Sequence, residues 1–163
     1  MWVRTLSKAP SGLFLNTRGY SSEYLLRWLE QASGGEFERP LESTAVVWDR
    51  IEAIAENYPG TQLPKSFVLS VDGGRYIING NGTKHMYEAV ISVKNLPIVK
   101  SANPNLFTQL VLYDFMRAVA SAASEGVSNK GRAVRVGSWE LVFGQRSSDK
   151  YPVIYHALFR GLS

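Results

Sequence analysis

Cysteine is missing from all 163 residues of the chain. Its absence excludes disulfide scaffolds, thiol nucleophiles and every cysteine-ligated zinc site, including the zinc of nucleobase deaminases. Histidine is nearly as scarce, with only His85 and His156. A mononuclear zinc site would need both plus carboxylates, and no His-Glu-x-x-His spacing occurs. Neither a metal nor a cofactor is expected. Long apolar runs are also lacking, none approaching the roughly 18 residues of a membrane span. The first thirty residues carry Arg4, Lys8, Arg18 and Arg27 without the continuous apolar core of a signal peptide, so no membrane partner is expected. There is no P-loop and no G-x-S-x-G, and Gly80-Asn81-Gly82 lacks the third glycine of a dinucleotide fingerprint. The four aspartates, Asp49, Asp72, Asp114 and Asp149, are scattered, which disfavours a two-metal nuclease.

What remains describes an ordinary folded chain. Its length suits one domain with a proper core, and 45% hydrophobic with 20% charged residues argues against disorder. The net charge of +4 is unevenly spread. Residues 1–60 hold six Lys and Arg against eight acids, whereas residues 61–163 hold twelve against six. A basic later part suggests a polyanionic partner, although a basic balance can equally serve solubility alone.

Residues 1–40 read as a helical cap or linker remnant, with a short helix from Ser21 or Ser22 to Gly34-Gly35. Residues 41–163 read as the active domain. Ser43 or Thr44 caps an expected second helix, with Val47, Trp48, Ile51, Ile54 and Ala55 at helical spacing and Tyr58-Pro59-Gly60 as its stop. Residues 66–71 and 75–79 form a plausible hairpin through Asp72-Gly73-Gly74. Asn79-Gly80-Asn81-Gly82 reads as a glycine-rich loop emptying into a short helix capped by Thr83. A longer helix is expected over about 105–124. Alternation then predicts strands over 132–136, 138–143 and 153–159, the last with Ile154, His156 and Leu158 on one face. The expected class is α+β, with helices first and a mainly antiparallel sheet last. Trp28, Trp48 and Trp139 fit core positions better than base-stacking platforms.

An isolated histidine is more often structural than catalytic. These two have useful neighbours. His85 falls in a first helical turn beside Thr83 and Lys84, with Glu88 one turn on. His156 interrupts an apolar strand, with Glu140 and the Arg146–Lys150 loop within reach across a plausible strand pairing. The set suits metal-independent RNA cleavage, in which one base takes the 2′-hydroxyl proton and one acid protonates the departing 5′-oxygen. His85 and His156 are the candidate base and acid in either order, with Glu88 and Glu140 as orienters. Thr83, Lys84, Arg135, Arg146 and Lys150 are the candidate phosphate and RNA contacts. Two other readings stay open: a metal-dependent nuclease, and a non-enzymatic basic module that binds nucleic acid.

The block Asn81-Gly82-Thr83-Lys84-His85-Met86-Tyr87-Glu88, followed by Trp139-Glu140-Leu141-Val142-Phe143 and by Pro152-Val153-Ile154-Tyr155-His156-Ala157, resembles C-terminal toxin domains of bacterial polymorphic toxins. These are the Rhs, wall-associated, LXG and contact-dependent growth inhibition kinds. The resemblance spans roughly residues 41–160, and Gly82 stands where the family block has alanine. It implies a ribonuclease fold like those of barnase, colicin and RelE, and it singles out Lys84, His85, Glu88, Trp139, Glu140 and His156. It further implies a monomeric effector, secreted or delivered into the target-cell cytoplasm, that cuts tRNA or other structured RNA and is neutralised by a cognate immunity protein.

Overall fold

The computed structural model describes residues 42–72, 74–94, 104–126 and 131–160. The helix expected near residues 21–35, and the division at residue 40, lie outside them.

Strand β2 (Phe67–Val71) alternates, sending Phe67, Leu69 and Val71 into the core, and pairs antiparallel with β3 (Gly74–Ile78) as the hairpin reading expects. A short strand β1 (Ile51–Ala53) adds to the outer side of β2, with Ile51 opposite Leu69. A second antiparallel unit consists of β4 (Ala133–Val136), β5 (Trp139–Gly144) and β6 (Val153–Phe159). Gly137, at φ 57°, makes the tight turn between β4 and β5. The two units join where β3 and β6 run parallel, through Ile77–Val153 and Ile78–Ile154. The six-stranded order is β1-β2-β3-β6-β5-β4.

The chain segment between the units carries α2 (Gly80–Lys94) and α3 (Pro104–Ser124), and a one-turn α1 (Glu42–Ala45) precedes β1. Helix α3 buries a broad stripe including Leu110, Val111, Phe115, Ala118, Val119 and Ala122. Phe115 meets the fully buried Trp139 edge to face at 5.4 Å, and Phe159 closes on the same indole at 6.0 Å. Trp139 is thus a core residue, as its alternating position indicates.

The class is α+β, but its order differs from the expected one. Strands β1 to β3 precede both long helices, and the central strand pair is parallel. The helix expected through Ala55 stops early. After α1 the chain tightens into a 3₁₀ turn (Val46–Asp49) and then extends, because the Arg50 carbonyl accepts the Ser70 N–H at 2.8 Å and Ile51 joins the sheet. Ile54 is consequently 57% exposed rather than core. The supposed glycine-rich loop is helical from Gly80 onward. Asn79, not Thr83, caps it, with Asn79 Oδ1 accepting the Gly82 N–H at 3.0 Å.

Candidate active site

The site is built where β3 parts from β6. Only the first two residues of β6 pair with β3, and α2 packs along the strand from there. Gly82 permits that approach. A Cβ there would lie 2.5 Å from the Ile154 carbonyl oxygen and 2.9 Å from Ile78 Cγ2. Alanine therefore does not fit between this helix and this strand.

The first turn of α2 is fastened from its other side. Thr83 is fully buried, and its hydroxyl lies 2.8 Å from the Lys65 carbonyl and 2.7 Å from the Tyr58 hydroxyl. Tyr58 stacks on Tyr87 with ring centroids 4.3 Å apart. Thr83 thereby anchors the helix start, its hydroxyl engaged by Lys65 and Tyr58.

On β6 a bulge sets the histidine. Phe143 pairs with Ile154 but Val142 with His156, so Tyr155 is the extra residue and the simple alternation breaks. Ile154 joins the buried face, while His156 shares the more open face with Glu140 and Val142. The expectation that Ile154, His156 and Leu158 share a face thus fails at Ile154, because a bulge leaves no mark in an apolar run.

The two histidines, distant in sequence, meet. Their ring centroids are 5.8 Å apart with planes at 78°. An ionised carboxylate can only accept, so His85 Nδ1–H donates to Glu88 Oε1 at 2.7 Å and His156 Nε2–H donates to Glu140 Oε2 at 3.0 Å. In the neutral imidazole, these bonds place the proton on His85 Nδ1 and on His156 Nε2. Both imidazoles are partly sheltered, with side chains 12% and 26% exposed. Arg160 Nε lies 3.7 Å from Glu140 Oε1 and adds a cation that sequence reasoning missed. The signal was available, since Arg160 follows His156 by four residues and so continues the same strand face.

Of the other candidate contacts, Lys84 is exposed next to His85. Arg135 is exposed on β4, in register with Glu140, and its Nε donates to the Gly137 carbonyl at 3.0 Å. Arg146 and Lys150 stand exposed on the β5–β6 loop, Arg146 beside Asp149 and Lys150 over the Tyr151 ring at 5.5 Å. The structure therefore unites His85, Glu88, Glu140 and His156, and it leaves Arg146 and Lys150 on an adjoining loop. Among the described residues, no group of three or more His, Asp or Glu side chains is placed to hold a metal ion, and no helix is long and apolar enough to cross a membrane. Compared with known proteins, the chain matches no protein-family model and no curated protein.

Proposed function

We propose that this chain is a metal-independent endoribonuclease of the polymorphic-toxin kind. The observation that carries the reading is the meeting of the chain's only two histidines, each held by its own carboxylate. In this reading the neutral imidazole of one histidine removes the 2′-hydroxyl proton. The 2′-oxygen attacks phosphorus, and the bond to the 5′-oxygen breaks. The imidazolium of the other histidine delivers its proton to that oxygen, leaving a 2′,3′-cyclic phosphate and a 5′-hydroxyl. Glu88 and Glu140 orient the rings through their hydrogen bonds. Lys84 and Arg160 lie next to the two rings in sequence or through Glu140, where they can offset charge on the phosphate. RNA supplies its own nucleophile, so the sequence needs no bound metal.

The basic balance of residues 61–163 supports a polyanionic substrate. The resemblance of the two histidine blocks supports the biological setting: a delivered effector acting on tRNA or other structured RNA in the target-cell cytoplasm, with an immunity protein as its partner in the producer. The test is incubation with total RNA in EDTA. We expect discrete products with cyclic phosphate ends. His85→Ala and His156→Ala should each lower cleavage by about 10²- to 10⁴-fold, with an unchanged circular dichroism spectrum. Undiminished cleavage in both folded variants would sink the mechanism, and cleavage that requires added magnesium would replace it with a metal-dependent one.

A further inference from the structure

A cleft of about 300 Å³ is lined by chain neighbours of the histidine pair rather than by the histidines themselves, and the proton transfers just described do not use it. Asn81, Gly144, Gln145, Arg146, Asp149 and Tyr155 are among the residues lining it. Its lining residues share three elements with the histidine site. Asn81 stands four residues before His85 on α2 and so on the same helix face. Tyr155 precedes His156 at the bulge of β6. Gly144 continues the face of β5 that carries Glu140 and Val142.

The lining has a definite chemistry. A Cβ on Gly144 would lie 2.7 Å from Tyr155 Cε1, so the phenol ring rests directly on the Gly144 backbone and is held half-buried. The loop beneath is closed on itself. The Asp149 carboxylate accepts the Arg146 backbone N–H at 2.8 Å and lies 3.5 Å from Arg146 Nε, and the Gln145 amide donates to the Asp149 carbonyl at 3.3 Å. Arg146 and Asp149 cancel in charge, so the cleft is a poor site for a bare phosphate. A fixed aromatic ring with three carboxamides (Asn79, Asn81 and Gln145), a carboxylate and a guanidinium suits a flat heterocycle with donors and acceptors on its edge.

Building on the proposed cleavage, we infer that this cleft is a nucleobase subsite, which seats the base of the nucleotide whose phosphate lies between His85 and His156. Tyr155 stacks on the base, and Asn81 and Gln145 read its edge. The cleft thereby selects the bond that is cut, and Tyr155 acts as a specificity-determining residue.

The experiment is calorimetric titration of the wild-type protein with the four nucleoside 3′-monophosphates, ribose 5-phosphate and inorganic phosphate, with amide chemical shifts followed by NMR. At least one nucleotide should bind tenfold or more tightly than both base-free probes and shift the amides of residues 144–146. Tyr155→Leu should remove about tenfold of that affinity, and Tyr155→Phe, which keeps the ring, should retain it. Equal binding of nucleotides and inorganic phosphate overturns the subsite, as does unchanged nucleotide affinity in a folded Tyr155→Leu. The two readings fail separately. RNA cleavage without base-dependent binding overturns the subsite alone, whereas base-dependent binding in a protein that leaves RNA intact supports the subsite and overturns the cleavage.

Discussion

At the scale of single residues, the sequence shows chemistry better than it shows position. His85, Glu88, Glu140 and His156 stand out because histidine is rare here and each has an acidic neighbour at a plausible offset, one turn of helix for Glu88 and one strand pairing for Glu140. Thr83 has the same credentials on paper, yet its hydroxyl is consumed by Lys65 and Tyr58, partners that come from an irregular segment no periodicity reveals. Asp114 is a further case. It looks like one more scattered aspartate, but it lies at the edge of the core, where Asp114 Oδ2 accepts the Trp139 indole N–H at 2.9 Å. Burial raises its carboxyl above the ordinary value, opposed by the Trp139 hydrogen bond and by Arg117. The folded protein thus holds this proton more tightly than the unfolded chain does. Stability from this group is full below about pH 4 and is lost as pH rises through the raised folded value. Asp114→Asn keeps an acceptor for Trp139 and removes the titration. Its Tm relative to wild type should therefore climb between pH 4 and 7, and a pH-independent difference would refute the account.

Among the elements, those held by local pattern are the legible ones. The hairpin of β2 and β3, the long α3 and the alternating β5 all follow from spacing. Segments decided by distant partners do not. Residues 50–55 keep a helical apolar period but are drawn into extended pairing by β2, and a short apolar period does not outweigh a waiting sheet edge. Likewise Gly80 and Gly82 suggest a loop by composition, and become helix because Asn79 caps the turn and β6 offers a surface. The two glycines make a clean comparison. A Cβ on Gly80 meets nothing within 4 Å, and Gly80→Ala should be neutral or stabilising by up to about 1 kcal/mol. Gly82→Ala meets backbone on β6 and should cost about 1–3 kcal/mol despite the better helix propensity of alanine. Because α2 must move to accept it, the proposed cleavage should also fall. Urea melts of the two variants check the stability contrast, and equal midpoints would show that the close approach is unimportant.

For the whole molecule, the sequence indicates the class and the charge, whereas the route of the chain follows from one pairing, the parallel β3–β6 contact, which no spacing announces. Charge acts at this scale too. Arg75 and Lys150 flank the half-buried Tyr151, within 6.0 and 5.5 Å of its ring, and place two cations beside the β5–β6 loop. Binding of a non-cleavable 2′-deoxy analogue should weaken linearly in log affinity against log salt. Lys150→Ala should flatten that slope by about 0.7 without moving the cleavage sites. An unchanged slope would remove Lys150 from the RNA track. The same β3–β6 seam divides the machinery between two stretches of chain. Everything through α3 supplies His85 and Glu88, while everything from β4 onward supplies Glu140 and His156. On the proposed function, a chain severed between Ser124 and Ala133 should yield two halves that are each inert and that regain RNA cleavage on mixing, and mixed halves that stay inert would count against this division of the site. On that reading the site stays incomplete during synthesis until the last strand arrives, because His156 lies on β6.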